Sequence, residues 1–378
     1  MRISQVLAGY TAAEADELRR TMGNQRKQAR LAAALDRLRA RMVERGVNAD
    51  VAARIAEDLA SFANYGFPES HAWSFALIAY ATAYLKAHHP TEFTVGILNA
   101  QPMGFYSVAT LVQDARRHGV EVRLPCLASG SADCTTEETD DPARPALRLG
   151  WRFIHGIGDK SLEALGAARA ARAFDGILDV VRRARLTRAD ATALARAHAF
   201  AAWEPDRRRA AWQALRAVGD TLPLAPSRAD SFAPRPIEHH AGVVADYNAL
   251  GLSISGHPME RFRPWLRTIG ARDSAELQQC RNGEQVIIAG LVIVRQRPQS
   301  AKGTVFILLE DEHGQTQVIV SRKMDEAHRE VVRFSTFLAV YGRVERDGPL
   351  ASLVATAFKQ LDEQVEGEAL VHRSHDFR

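Results

Sequence analysis

A short turn containing Gly156, Gly158 and Lys160 is the first segment of the sequence that could bind a ligand. It reads Ile154-His155-Gly156-Ile157-Gly158-Asp159-Lys160 and lies between a strand-like segment and a predicted helix. Two glycines let the backbone approach a phosphate closely, and the free N–H groups of a helix start can bind its oxygens. The segment therefore predicts the phosphate-binding turn of a helix-hairpin-helix. Taken alone, Gly-x-Gly more often marks a simple tight turn.

Two other positions, both near the N-terminus, could bind an anion. Arg19 and Arg20 are adjacent on a predicted helix. Their side chains therefore point about 100° apart, and both reach one polyphosphate only if it lies against that helix. Ser70 and His71 stand at a predicted helix start, where N–H groups and an imidazole can meet an anion. A surface arginine pair and a histidine beside a helix cap are the simpler interpretations of these residues.

A basic loop near residue 300 is a third candidate, because it lies in a region of predicted strands. Arg295, Arg297 and Lys302 supply positive charge, and Phe306 and Tyr341 supply aromatic rings. Basic and aromatic side chains on a curved sheet suit a single nucleic-acid strand. We expect Phe306 to fill the interior of the folded sheet, so the basic loop is the stronger candidate.

Metal and hydrolase sites find little support. His88-His89 and His239-His240 are adjacent pairs, without the i, i+4 spacing that places two imidazoles on one helix face. The stretch Glu310–Glu312 is better explained as part of a hairpin turn. The three cysteines show no CxxC spacing, and no Walker motif or Gly-x-Ser-x-Gly occurs. The sequence thus predicts no catalytic residue, no metal site and no cofactor in this chain.

Composition indicates a folded protein of more than one domain. The chain has 378 residues, 46% of them hydrophobic and 25% charged, which is typical of globular proteins. Its net charge is only +4, but nine basic residues face two acids between Arg19 and Arg45, and nine arginines face three acids between Arg182 and Arg216. No apolar run is long enough to span a bilayer and no secretory signal is recognisable, so we expect a cytoplasmic protein.

The N-terminal part reads as helical. Thr11 and Glu14 have capping-box spacing before a long helical stretch to Arg45, with a predicted break at Gly23 and Asn24. Further helices are predicted over 51–64, 71–87, 92–99 and 107–118. Because the segment 71–87 is apolar nearly all round, we expect it at the centre of a helical bundle.

In the rest of the chain the predicted secondary structure changes from short strands to helices and then to barrel strands. Strand-like pieces are predicted over 120–124 and 146–153, helices resume over 159–203, and a proline-rich linker is predicted over 222–236. Alternating residues then predict three strands, a helix over 322–334 and two strands, which is the chain order of an OB-fold barrel. The strands are 285–295, 304–310, 315–320, 337–345 and 351–359. We divide the chain into a helical region (1–120), a β-containing junction (121–150), a helix-hairpin-helix region (151–220) and a linker with connecting helices (221–280). An OB-fold (281–362) and a C-terminal tail (363–378) follow.

Several longer motifs resemble the C-terminal part of bacterial error-prone C-family DNA polymerases, which are similar to the DNA polymerase III alpha subunit. Three segments resemble the fingers of these enzymes: Phe62–Ala72, Tyr84–Pro90 and Leu98–Tyr106. The motif Gln-Pro-Met-Gly-Phe-Tyr at 101–106 resembles the corresponding motif of the error-prone branch. Further similar segments follow in the same order. They are Gln113–Val120, Gly156–Gly158, Asp246–Met259, Val294–Pro298 and Ser374–Arg378.

The resemblance implies a multidomain fold: an all-α fingers portion, a helix-hairpin-helix and an all-β OB-fold. It implies translesion synthesis and DNA repair as the function of the whole enzyme, with Arg19, Arg20, Ser70 and His71 near the incoming dNTP. Because the similarity begins within the fingers, the catalytic palm and its Mg²⁺ ions are expected outside this chain, which alone is predicted to be inactive.

The implied partners are primer-template or single-stranded DNA, bound through Gly156, Gly158, Lys160, Arg295, Arg297 and Lys302. Mutasome proteins that give access to the sliding clamp are a further implied partner. The alternative is a non-catalytic DNA-binding accessory module, in which the fingers portion is only a scaffold. An unrelated α/β enzyme is a third possibility, opposed by the lack of a recognisable catalytic constellation.

Overall fold

The computed structural model describes residues 2–22, 28–64, 69–104, 106–219, 234–298, 301, 303–361, 370 and 374–377. The chain divides into two compact units, Met1–Tyr84 and Leu85–Arg378. The predicted linker over 222–236, the predicted break at Gly23 and Asn24, and Lys302 lie wholly or largely outside the described residues. No helix within these ranges is long and apolar enough to cross a membrane.

The first unit is helical, as the sequence predicts. Thr11 and Glu14 form the expected capping contacts, since the Thr11 amide donates to the Glu14 carboxylate at 2.8 Å and the Glu14 amide donates to the Thr11 hydroxyl at 3.3 Å. The core of the unit contains Leu18, Leu38 and Met42. Its helices are α1 (Arg2–Ala8), α2 (Ala12–Met22), α3 (Gln28–Glu44), α4 (Ala49–Asn64) and α5 (Glu69–His88), the last of which crosses into the second unit.

Helix α5 is formed where the sequence predicts it, but the expected central position is wrong. Trp73 is 73% exposed, and Phe75, Leu77, Ile78 and Tyr80 are also exposed. A helix that is apolar all round predicts burial, yet this pattern does not specify the elements that bury it. The described helices leave much of the surface of α5 in solvent.

The second unit begins with helices and a small sheet. Its largest core contains Trp151, Leu165, Leu194 and Phe200. The sheet consists of β1 (Val122–Arg123), β2 (Thr135–Glu137) and β3 (Ala146–Arg148), with β3 in the middle. The helices are α6 (Pro90–Asn99), α7 (Val108–Arg117), α8 (Asp159–Ala171), α9 (Ile177–Arg183), α10 (Arg188–Arg196), α11 (Arg207–Gly219), α12 (His239–Leu250), α13 (Arg263–Thr268) and α14 (Ser274–Leu277).

The strand predicted over 146–153 is only partly correct. Strand β3 ends at Arg148, and Trp151–Phe153 form one turn of 3-10 helix. The backbone approaches so closely at Gly150 that an added Cβ would lie 2.3 Å from the carbonyl oxygen of Ala132. The turn carries the Trp151 ring into the core, where its indole N–H donates to the Cys126 carbonyl at 2.9 Å.

The C-terminal part is a closed barrel with the predicted OB-fold strand order. Strand β4 pairs with both β5 and β7, and the parallel pair of β6 and β8 completes the closure. The predicted helical insertion forms two short helices. The elements are β4 (Gln285–Gln296), β5 (Val305–Glu310), β6 (Gln315–Val320), α15 (Arg322–Ala327), α16 (Arg329–Phe334), β7 (Phe337–Asp347), β8 (Leu350–Gln360) and β9 (His375–Phe377), which pairs with β4.

The expectation that Phe306 fills the barrel is wrong. Val305, Ile307 and Leu309 are the residues of β5 that enter the barrel core. Since side chains alternate along a strand, Phe306 points to the outer face, where it is half-buried. The hairpin turn predicted after Glu310 is confirmed, because the Asp311 amide donates to the Gly314 carbonyl at 2.9 Å.

Candidate nucleic-acid interface

The turn at Gly156 and Gly158 combines a backbone conformation that favours glycine with an uncapped helix start. Gly156 has a φ of +90°, a conformation that favours glycine. Gly158 is the N-cap of α8 and has no side chain to cap its N–H groups. A Cβ added at Gly158 would meet nothing within 4 Å, so the turn is open at this point. Lys160 lies exposed in the first turn of α8.

A row of polar residues on α10 borders this turn. Arg188, Thr192 and Arg196 are spaced by four residues and therefore share one face of the helix. With Gly156 and His155 they line a cavity of about 620 Å³. The hydroxyl of Ser161 in α8 donates to the Asp190 carboxylate of α10 at 2.9 Å and so links the two helices.

Arg188 is available to a ligand. It is exposed and makes no ion pair among the described residues. The Thr187 and Asp190 capping box fixes the start of α10 immediately beside it. Arg188 is not among the candidates named from the sequence, since the segment 186–200 contains no Gly-x-Gly. The four-residue spacing of Arg188, Thr192 and Arg196 was the available signal.

The first unit contains a separate arginine-rich cleft between α2 and α3. Its volume is about 420 Å³, and four arginines and two glutamates are among the residues that line it, namely Arg20, Arg30, Arg37, Arg41, Glu14 and Glu17. Arg41 is neutralised by Glu14 at 2.7 Å and also lies over the Tyr10 ring. Burial raises the pKa of the Tyr10 phenol, and the charges of Arg41 and Arg37 oppose this shift. In this cleft the positive charges outnumber the negative ones.

The predicted nucleotide-binding residues are only partly brought together. Arg19 and Arg20 both reach Asp16, each at 2.9 Å, and hydrogen bonding from Arg19 is the main cause of the lowered pKa of Asp16. Of the two arginines, Arg20 lines the cleft. Ser70 and His71 lie in the first turn of α5. The His71 ring packs edge-on against the Phe75 ring, with the ring centroids 4.5 Å apart. Their role near a nucleotide stays a prediction.

The barrel arginines named from the sequence are bound to protein groups. The three guanidinium nitrogens of Arg295 donate to the Val332 carbonyl, the Ser335 carbonyl and the Ser374 hydroxyl. Arg297 pairs with the buried carboxylate of Asp325. These contacts join β4 to the α15–α16 region and to the C-terminal segment. Contact between these arginines and DNA stays a prediction, and the structure assigns them a stabilising role first.

The described residues contain no group of three or more His, Cys, Asp or Glu side chains that could hold a metal ion. The acidic side chains at the β5–β6 hairpin are bound to other groups of the protein. Asp311 accepts hydrogen bonds from the amide of Ser274 at 2.7 Å and from its hydroxyl at 2.5 Å, and Glu312 pairs with Arg263. At the hairpin turn, the groups present are the N–H groups at the start of α8 and the guanidinium groups of α10, and groups of these two kinds form charge-assisted hydrogen bonds with anions.

Comparison with known protein families finds matches to three separate parts of the chain. Residues 1–46 match the bacterial DNA polymerase III alpha subunit finger domain. Residues 119–210 match a helix-hairpin-helix motif, and residues 286–361 match an OB-fold nucleic acid binding domain. The α8–α10 site and the barrel thus both lie in modules of nucleic-acid-binding type.

Whole-chain comparison finds error-prone DNA polymerases. The chain is 44% identical to that of Anaeromyxobacter dehalogenans (strain 2CP-C) over 364 residues, which is 93% of this chain and 32% of the relative. It is 39% identical to that of Azoarcus sp. (strain BH72), over 100% of this chain and 36% of the relative. This chain is a homologue of the error-prone DNA polymerases. It spans about a third of the length of these polymerases.

One solved structure is similar to a small part of this polymerase homologue. The asparaginyl-tRNA synthetase from Pyrococcus horikoshii covers 26% of the chain, with 24% of its own chain, 19% identity and a TM-score of 0.23. A TM-score of this size adds nothing to the assignment.

Proposed function

We propose that this chain is the DNA-holding part of an error-prone DNA polymerase of translesion synthesis and DNA repair. The observation that carries the proposal is the position of Arg188, Thr192 and Arg196 beside Gly156 of the hairpin turn. Backbone N–H groups and guanidiniums at one point bind phosphate oxygens without reading bases. The site therefore suits primer-template DNA of any sequence.

Salt dependence tests this proposal. Each neutralised phosphate releases counterions, so the logarithm of the affinity should fall with the logarithm of salt at a slope of about −0.9 per phosphate on duplex DNA. We expect several such contacts in an anisotropy titration of a labelled primer-template at a series of salt concentrations, with equal affinity for scrambled sequences. A flat salt response, or a strong preference for one sequence, would contradict the proposal.

For the cleft between α2 and α3, the proposed ligand is the triphosphate of the incoming dNTP. Arg30 and Arg37 are exposed there and form no ion pair with any described carboxylate. Calorimetric titration with a dNTP and Mg²⁺ should show weak binding, which Arg37→Ala reduces. The matched control is Arg39→Ala, because Arg39 lies on the same helix but does not line the cleft. Undetectable binding, or equal loss in both variants, would favour the non-catalytic accessory module.

Catalysis is proposed to need a palm that supplies carboxylates for two Mg²⁺ ions, since polymerases stabilise the attacking and leaving oxygens with metal ions. The 378 residues alone are then expected not to extend a primer with Mg²⁺ or Mn²⁺, whereas the same sequence joined to a family palm should do so. A cytoplasmic location and mutasome partners that provide access to the sliding clamp complete the proposal. Primer extension by this chain alone, lost on mutation of one of its own acids, would refute this part.

A further inference from the structure

The hairpin turn carries a titratable side chain, that of His155, directly before Gly156. The imidazole is exposed and lines the cavity of about 620 Å³ beside the turn. The other walls of this cavity are formed by α10, with Arg188 and Arg196, and by the last turn of α12. His155 therefore shares one space with two guanidinium groups.

The end of α12 holds His155 at two points. Its backbone N–H donates to the Ala249 carbonyl at 2.7 Å, and its ring nitrogen Nδ1 lies 3.1 Å from the Asn248 carbonyl oxygen. Both carbonyls belong to the last turn of α12, where a helix leaves its acceptors without partners. A Cβ added at Gly251 would lie 3.6 Å from Cε1 of the ring, so the backbone also packs closely against the imidazole. These contacts fix both the position and the orientation of the ring.

The contact with Asn248 also decides which ring nitrogen of His155 faces a ligand. A carbonyl oxygen only accepts hydrogen bonds, so Nδ1 must carry the proton that it donates. The second ring nitrogen, Nε2, makes no hydrogen bond with any described residue. In the neutral ring Nε2 has a lone pair, which cannot donate to a phosphate oxygen. In the protonated ring Nε2–H can donate a charge-assisted hydrogen bond to it.

The charges around the ring suit an anion. Apart from His155, the charged residues that line the cavity are Arg188 and Arg196, and no carboxylate among the described residues lines it. On each adjoining element, the nearest further titratable residues along the chain are Asp159 and Lys160 on α8, Asp190 on α10, and Asp246 and Tyr247 on α12. Those on α10 and α12 are buried, and the two on α8 carry opposite charges.

We propose that protonated His155 binds a DNA backbone phosphate in this cavity through Nε2, so that DNA binding at the hairpin is coupled to the uptake of one proton. The inference rests on the proposed function and adds a pH-dependent contact to it. Because a phosphate and a proton on Nε2 attract each other, each strengthens the binding of the other. Histidine is the side chain whose charge changes between pH 5 and 8, so the contact forms on the acidic side of this range and is lost on the alkaline side.

The test is an anisotropy titration of a labelled duplex at about pH 5.5 and about pH 8. The wild type should bind more tightly at the lower pH by about 10- to 150-fold, the range of one charged hydrogen bond. The slope of log affinity against log salt should also be more negative there by about 0.9, because one more phosphate is neutralised. His155→Gln places a neutral amide near the position of Nε2 and should lose both differences.

His118→Gln is the matched control. His118 is also exposed, and its Nδ1 also lies close to a backbone carbonyl, that of Asp114 at 2.7 Å, but it does not line the cavity. This variant should keep the pH dependence of the wild type. Loss of the pH dependence in His118→Gln but not in His155→Gln would assign the proton to another site and overturn the inference.

His155→Asn separates the phosphate contact from the fold. Its amide can still donate to the Asn248 carbonyl, but it is too short to replace Nε2. This variant should bind at both pH values about as the wild type does at pH 8. A loss of affinity that is equal at both pH values, or no loss at either, would overturn the inference and leave salt-dependent DNA binding intact. A wild type that binds no DNA at either pH would refute the proposed function, and this inference with it.

Discussion

Arginines in two parts of this molecule have opposite surroundings. In the small sheet and the barrel, Arg148 and Arg295 give their N–H groups to protein oxygens. Beside the hairpin, Arg188 is exposed and makes no ion pair among the described residues. A guanidinium whose acceptors belong to the protein stabilises the fold, and one that lacks them can bind a phosphate. The count of arginines along the chain therefore does not reveal which of them bind DNA.

The ion pairs of Glu137 give the strongest test that arginines bound to protein groups stabilise the fold. Glu137 accepts a paired contact from Arg148 at 2.7 and 2.8 Å and a further one from Arg123 at 2.8 Å. Hydrogen bonding from Arg148 is the main cause that lowers its pKa from 4.5 to about 2. The folded carboxyl is the stronger acid, so its stabilisation is present above pH 4.5 and is lost as the pH falls towards 2.

We therefore expect Glu137→Gln to lower the free energy of unfolding by about 3 kcal/mol at neutral pH. The difference from the wild type should shrink as the pH approaches 2. Urea unfolding across this pH range measures it, with Glu138→Gln as the control because Glu138 is the exposed neighbour. A difference that stays constant with pH would contradict the assigned ion pairs.

Arg295→Ala should be the next largest effect. Three donors are lost together, and the carbonyls of Val332 and Ser335 lose their charged partner. We expect the free energy of unfolding to fall by about 2 kcal/mol. Arg343→Ala, an exposed arginine of the same barrel, should change it by less than about 0.5 kcal/mol. Equal stability of the two variants would show that the contacts of Arg295 are not stabilising.

Gly158→Val tests whether the hairpin turn binds a DNA phosphate. Space is open at this position, so the fold should accept the side chain while a phosphate is kept from the N–H groups. We expect duplex DNA to bind about 10- to 100-fold more weakly, the loss of one or two charged hydrogen bonds. Gly166→Val places the same side chain in open space further along α8 and should leave binding unchanged. Unaltered affinity in Gly158→Val would mean that the turn is only structural.

Much of this arrangement is predictable from local sequence. Glycine spacing predicts the hairpin at Gly156 and Gly158, and alternating residues predict the five barrel strands, because backbone conformation and side-chain direction are local properties. Phe306 was misplaced because both faces of β5 carry apolar residues, so that alternation alone does not identify the inner face. The environment of α5 depends on elements that pack against it, which its own pattern cannot specify.

The functional state of an arginine is still less predictable, because its partners come from distant parts of the chain. Arg295 meets carbonyls at Val332 and Ser335 and the hydroxyl of Ser374, about 37 to 79 positions later. Arg188 lies beside Gly156 only after α10 packs against α8. The sequence indicates where basic residues cluster, but only the tertiary structure distinguishes arginines bound to protein groups from exposed ones.

The salt dependence of duplex binding by Arg188→Ala and Arg295→Ala tests the central claim most directly. If Arg188 contacts a phosphate and Arg295 holds the barrel together, the slope of log affinity against log salt should become less negative by about 0.9 in Arg188→Ala. The same slope should be unchanged in Arg295→Ala at a temperature where both variants are folded. An unchanged slope in Arg188→Ala together with a reduced slope in Arg295→Ala would contradict the account.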